Sequence, residues 1–90
     1  MIQDFMAAEK VTKLLDRAHA LLMESLKLVH DSCPEEEHRQ FRKGMAHVDG
    51  RLYFLLMEPI YRDHPSLAPA NTPQEFRDRW NDHPLTDTQD

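Results

Sequence analysis

The chain has one cysteine, two glycines, one tryptophan and no apolar run longer than Leu52 to Met57. A lone Cys33 excludes an intrachain disulfide and makes a reducing compartment the expectation, so the protein is expected in the cytoplasm. The run at Leu52 falls far short of the ~20 residues that cross a bilayer. Asp4, Glu9 and Lys10 interrupt any apolar core of a signal peptide, and no membrane partner is expected. Basic charge is also scarce, with 11 Lys and Arg against 16 Asp and Glu and a net charge of -5. Sequence-independent nucleic-acid binding relies on Lys and Arg neutralising phosphates, so no DNA or RNA partner is expected. The cluster Arg39, Arg42 and Lys43 is read instead as a solvated helix face answering Glu35, Glu36 and Glu37 one turn earlier.

What is present is helix-forming sequence. Ninety residues make one domain, and the first thirty contain no glycine or proline. From about Asp4 to about His30, Ala7, Val11, Leu14, Leu15, Ala18, Leu21, Leu22, Leu26, Leu28 and Val29 fall in a sector roughly 160° wide. Asp31-Ser32-Cys33-Pro34 reads as a turn. Ser32 and Glu35 have capping-box spacing, Pro34 suits a first helical turn, and three glutamates meet the positive end of the next helix.

The second helix is expected over about 35–58, ending or kinking at Pro59. Its stripe is Phe41, Met45, Val48, Leu52, Leu55 and Leu56. Gly44 and Gly50 interrupt it, each costing about 1 kcal/mol relative to Ala, and close approach by a neighbouring helix would account for them. So short a turn predicts an antiparallel hairpin over 1–62, with facing positions whose numbers sum to about 67. That register sets Leu26 against Phe41, Leu22 against Met45, Leu15 against Leu52 and Val11 against Leu56. Residues 63–90 read as an extended linker, a short helix over about 73–81 opened by a capping box at Thr72-Pro73-Gln74-Glu75, and a disordered acidic tail.

Two helices cover only one side of each other. The surplus apolar surface is expected at the open end of the hairpin, where Tyr53, Phe54, Met57, Ile60 and Tyr61 lie outside the stripe, next to Phe5. Phe76 and Trp80 share a face of the short helix and are expected either to dock on the hairpin or to anchor in another protein's groove. A second copy completing a four-helix bundle is the expected cover for the rest.

Chemistry-bearing residues are few. His30, Cys33 and His38 bracket the turn and belong to the zinc ligand set, although H-x2-C-x4-H is not a recognised site spacing. Glu35 and His38 have the spacing of di-metal carboxylate bundles, but the buried stripes hold no carboxylate. Cys33 sits among glutamates that oppose a thiolate and is read as a plain loop cysteine. Ser25 is expected to bond back to the Leu21 carbonyl, and no nucleophile, base and orienting group assemble around it. The reading is an all-α, non-enzymatic protein-protein interaction module without cofactor: a homodimeric adaptor, regulator or immunity- or antitoxin-type binder that contacts another protein. The alternative is a metal-binding helical bundle with zinc at the turn. Phe54→Glu is expected to disrupt association and leave the chain helical.

Overall fold

A computed structural model describes residues 1–82, and over them the chain is helical, with no strand. Helix α1 spans Phe5–Ser32 and α2 spans Glu35–Leu52. A π-helical stretch, Tyr53–Met57, leads without a break into α3, Glu58–Asp63. A 3-10 turn, Pro65–Leu67, and α4, Gln74–Asp82, complete the described chain. The acidic tail expected after Asn81 lies, from residue 83 on, outside the described residues.

Asp4 caps α1 by accepting from the Ala7 amide at 2.8 Å, which satisfies one of the helix's orphan donors. The helix then runs two residues further than its apolar pattern implies. Lys27 and His30 both bond Asp31 in the last turn, and the Cys33 amide still reaches the Val29 carbonyl at 2.9 Å. Ser32 is therefore helical and cannot cap the next element. Pro34 takes the cap position of α2 with no side-chain hydrogen bond, and the capping role expected of Ser32 and Glu35 is not realised. Thr72 departs in the same way, its hydroxyl bonding the Pro69 carbonyl at 2.7 Å. Ser25 bonds the Leu22 carbonyl, three residues back and not four.

Pro59 does not end the second helix. A proline ring collides with the carbonyl four residues earlier, here that of Leu55. The Glu58 amide instead reaches the Tyr53 carbonyl five residues back. A widened turn of this kind accommodates the ring and lets the helix continue to Asp63. It also rotates the residues beyond it, so that Glu58, Ile60 and Tyr61 turn inward and are buried.

Contacts join early residues of α1 to late residues of the second helix. His64 Nε2 donates to the Ile2 carbonyl at 2.7 Å. His19 Nδ1 meets Asp49 Oδ1 at 2.6 Å, and the rings of His30 and His38 stand 4.8 Å apart beside the turn. Positions whose numbers sum to 66–68 thus lie beside one another. The molecule measures 46 × 27 × 24 Å with a radius of gyration of 15.7 Å, against ~12 Å for a compact domain of this length.

So elongated a shape buries little. Among the described residues the apolar core is Ala8, Met45, Ile60, Tyr61 and Trp80. Phe41, Val48, Leu55 and Leu56, expected inside, stay exposed. The line of α2 that meets α1 passes through the buried Met45 and the polar Asp49, whose carboxylate meets His19. The glycines are not explained by packing within the chain either: a Cβ at Gly44 or Gly50 would meet nothing within 4 Å.

Candidate protein-binding face

The open end, expected to carry the surplus apolar surface, is closed by α4. Trp80 and Tyr61 are buried with ring centroids 5.9 Å apart, and Tyr53 lies between Phe54, Tyr61 and Phe76 at 5.2, 6.4 and 6.0 Å. Ile60 is buried, and Met57 and Phe76 are half-buried. Glu58 locks this arrangement: its Oε2 accepts from the Trp80 indole at 3.0 Å and pairs with Arg79. The Arg79 guanidinium also lies 5.0 Å from the Phe76 ring and 5.9 Å from that of Phe54. Of the eight residues expected to meet a partner, only Phe5 and Phe54 remain exposed. Phe5 leans edge-on against His64.

Burial shapes the titration of this end. Desolvation raises the Tyr53 hydroxyl, with the Glu58 carboxylate adding to the effect. Desolvation likewise raises Tyr61, helped by Asp16 and Tyr53. The Tyr53 hydroxyl and His38 Nδ1 are buried atoms with no hydrogen-bond partner.

Met1, Met6 and Leu56 also stay exposed at this end, and a second, regular stretch of bare apolar surface lies along the middle of the helix pair. On α1, Leu14, Leu21 and Leu28 are 59%, 62% and 65% exposed; on α2 and the π-helical stretch that continues it, Phe41, Val48 and Leu55 are 38%, 50% and 56% exposed. Each set recurs every seven residues, so each forms a row along its helix. The contacts His19–Asp49 and His30–His38 set Leu14 level with Leu55, Leu21 with Val48 and Leu28 with Phe41, within about one residue's 1.5 Å rise. The exposed row precedes the line of mutual contact by roughly 130° on α1 and roughly 80° on α2 at 100° per residue. In antiparallel helices, offsets of the same sign put both rows on the same side of the pair.

The result is a three-rung apolar ladder about 20 Å long, with no element laid over it among the described residues. A shallow depression of about 500 Å³ opens beside it, lined by Leu21, Glu24, Ser25, Lys27, Leu28 and Asp31. Fully covering six such side chains would contribute on the order of 10 kcal/mol before association costs are subtracted. That is comparable to the ~5–15 kcal/mol net stability of a whole domain.

The period-seven spacing was available in the sequence, but the sequence could not say which row faces α2. Two seams run side by side on α1. The first is Ala8, Thr12, Leu15, His19, Leu22, Leu26 and Val29; the second is Ala7, Val11, Leu14, Ala18, Leu21, Ser25 and Leu28. The first, with its polar members, packs inward, while of the more apolar second Leu14, Ala18, Leu21 and Leu28 are exposed and Ala7, Val11 and Ser25 half-buried.

The remaining candidates do not assemble. Among the described residues no three His, Cys, Asp or Glu side chains are grouped so as to hold a metal ion. His30, Cys33 and His38 therefore have no geometric support as a zinc site. Arg39 bonds Glu36 at 2.7 Å, in keeping with a solvated face. No helix among the described residues is long and apolar enough to cross a membrane. Comparison with known proteins finds no match: no family model fits the chain, and no significant likeness emerges among curated proteins or solved structures.

Proposed function

We propose that this chain is a non-enzymatic protein-binding module, an antiparallel helical hairpin whose bare face docks against protein. The three-rung ladder carries this reading. Contiguous apolar surface that no part of the fold covers marks an interaction site, and its spacing suits helices laid against helices. At the other end α4 covers part of the apolar surface, while Met1, Phe5, Met6, Phe54 and Leu56 stay exposed; the ladder is distinguished from these by its regular repeat along two neighbouring helices. A single cysteine and an acidic balance suit a cytoplasmic protein whose partner is neither nucleic acid nor membrane.

A photoreactive phenylalanine analogue in place of Val48 tests the reading, with the same analogue at Lys43, on a charged face away from the ladder, as the control. The Val48 position is expected to form a discrete covalent adduct with a protein, either this chain or another, in living cells and in purified samples. Lys43 should form none. Adducts equally frequent at both positions, or absent from both, would refute a dedicated face. Phe54→Glu is a less direct probe, because Phe54 lies beside Arg79 and off the ladder.

A further inference from the structure

We infer that the occupant of the ladder is a second copy of this chain, laid α1 on α1 and α2 on α2 in opposite directions, about a two-fold axis through the Leu21–Val48 rung. This rests on the protein-binding reading and adds the identity and orientation of the partner.

The first argument is the symmetry of the ladder. Leu14 and Leu28 stand seven residues either side of Leu21, and Phe41 and Leu55 stand seven either side of Val48. Reversal about the middle rung lays Leu14 on Leu28 of the second copy, Phe41 on its Leu55, and each central residue on itself. A face that maps onto itself under reversal is the requirement for a closed two-fold interface. The outer seam of α1, Ala7 through Leu28, alternates steps of four and three residues and contains no charged side chain. That is the pattern for knobs-into-holes packing against another helix.

The second argument is charge, and it selects the orientation. Along the outer shoulder of that seam run Lys10, Arg17, Glu24 and Asp31, seven apart and all exposed. Two bases precede two acids. Antiparallel pairing of α1 with α1 brings Arg17 beside Glu24 of the second copy and Lys10 beside its Asp31, at positions flanking the seam where such pairs set partner choice. Asp31 already accepts from Lys27 and His30, so Arg17 with Glu24 is the stronger contact.

The competing two-fold arrangement lays α1 on α2 of the second copy. The matching shoulder of α2 carries Glu37, Gly44 and Arg51. That arrangement sets Arg17 beside Arg51 and Asp31 beside Glu37, joining like charges at both ends. The favoured arrangement instead brings Arg51 of the second copy level with Gly44, whose open space receives the long side chain.

Two charge-reversed forms test the inference by sedimentation equilibrium across a hundredfold dilution. Lys10→Glu with Arg17→Glu makes the shoulder wholly acidic; Glu24→Lys with Asp31→Lys makes it wholly basic. The wild-type chain is expected to dimerise. Each reversed form alone should dissociate at least about tenfold more readily, with helicity by circular dichroism unchanged because all four positions are exposed. Their equimolar mixture should recover a one-to-one dimer.

A wild-type monomer at every concentration, reversed forms that dimerise like wild type, or a mixture that does not recover would each overturn the proposal. Tighter self-association of the acidic form would show α1 lying on α2 instead. In all these cases an adduct at Val48 to a foreign protein would leave the protein-binding reading standing, and no adduct at all would remove both.

Discussion

The two ends of the second helix solve the same problem differently. Near Pro59 the helix widens, turns Ile60 and Tyr61 inward, and receives α4, whose Trp80 fills the remaining gap and bonds Glu58. In the middle, Phe41, Val48 and Leu55 are apolar too, yet they stay 38%, 50% and 56% exposed, with no element among the described residues laid over them. The covered end has five neighbouring aromatic side chains, Tyr53, Phe54, Tyr61, Phe76 and Trp80, with the buried Glu58 carboxylate and Arg79 among them. The bare middle has only heptad spacing. A short chain that lays its spare helix over one end has no further described element to cover the middle.

Truncation should break the comparison most sharply. Trp80→Ala is expected to lower the stability of the dilute chain by about 3 kcal/mol, the scale for removing a large buried aromatic. Leu21→Ala under the same conditions should change it by less than about 0.5 kcal/mol, as for exposed positions generally. Urea denaturation at concentrations below any association reads both. Equal losses would mean that the middle is covered within the chain.

Glu58→Ala comes next, at about 2 kcal/mol, because it leaves a buried indole N–H and a guanidinium without their acceptor. The fluorescence of Trp80 should shift to the red as α4 loosens, with the Leu21–Val48 region unaffected. If the spectrum held while stability fell, Glu58 would be acting on the π turn and not on docking.

How much of this the sequence revealed depended on whether the decisive interaction was local. Helix content followed from composition and the 3.6-residue pattern, and α4 from Thr72-Pro73 and the Phe76–Trp80 spacing. Even there the expected hydroxyl cap was not formed. Passage through Pro59 depends on a backbone bond from Glu58 to Tyr53 that no residue pattern announces. The exposure of the Leu14, Leu21 and Leu28 row was not legible for a related reason. Apolar pattern alone puts Leu14, Leu21 and Leu28 inside, whereas the inner seam is held by His19 with Asp49 and by Thr12, whose hydroxyl bonds the Glu9 carbonyl at 2.8 Å. Polar residues that satisfy one another can take an inward line from leucines.

The glycines sharpen the comparison from the side of the bare region. With nothing within 4 Å of a Cβ at either site, Gly44→Ala and Gly50→Ala should each raise the stability of the dilute chain by about 0.5–1 kcal/mol, through helix propensity alone. Thermal unfolding of the single variants measures it. A loss at Gly50 would show that α2 is approached there from within the chain.

The smallest effect is expected from alkali, and its sign separates the two regions once more. Tyr53 and Tyr61 both titrate above the ordinary tyrosine value in the folded chain, chiefly because burial disfavours the phenolate. The unfolded chain, with ordinary tyrosines, therefore releases its protons first as pH rises past about 10. Their contribution to stability is complete below that pH and is lost progressively as pH climbs through the raised folded values. Stability should fall over that interval together with the rise of tyrosinate absorbance, and the fall should shrink in a Tyr53→Phe variant. Both tyrosines belong to the covered end, and the ladder contains no group that titrates. The alkaline fall should therefore be the same in Leu21→Ala as in the wild-type chain, both measured below any association; a smaller fall in that variant would couple the ladder to the buried tyrosines.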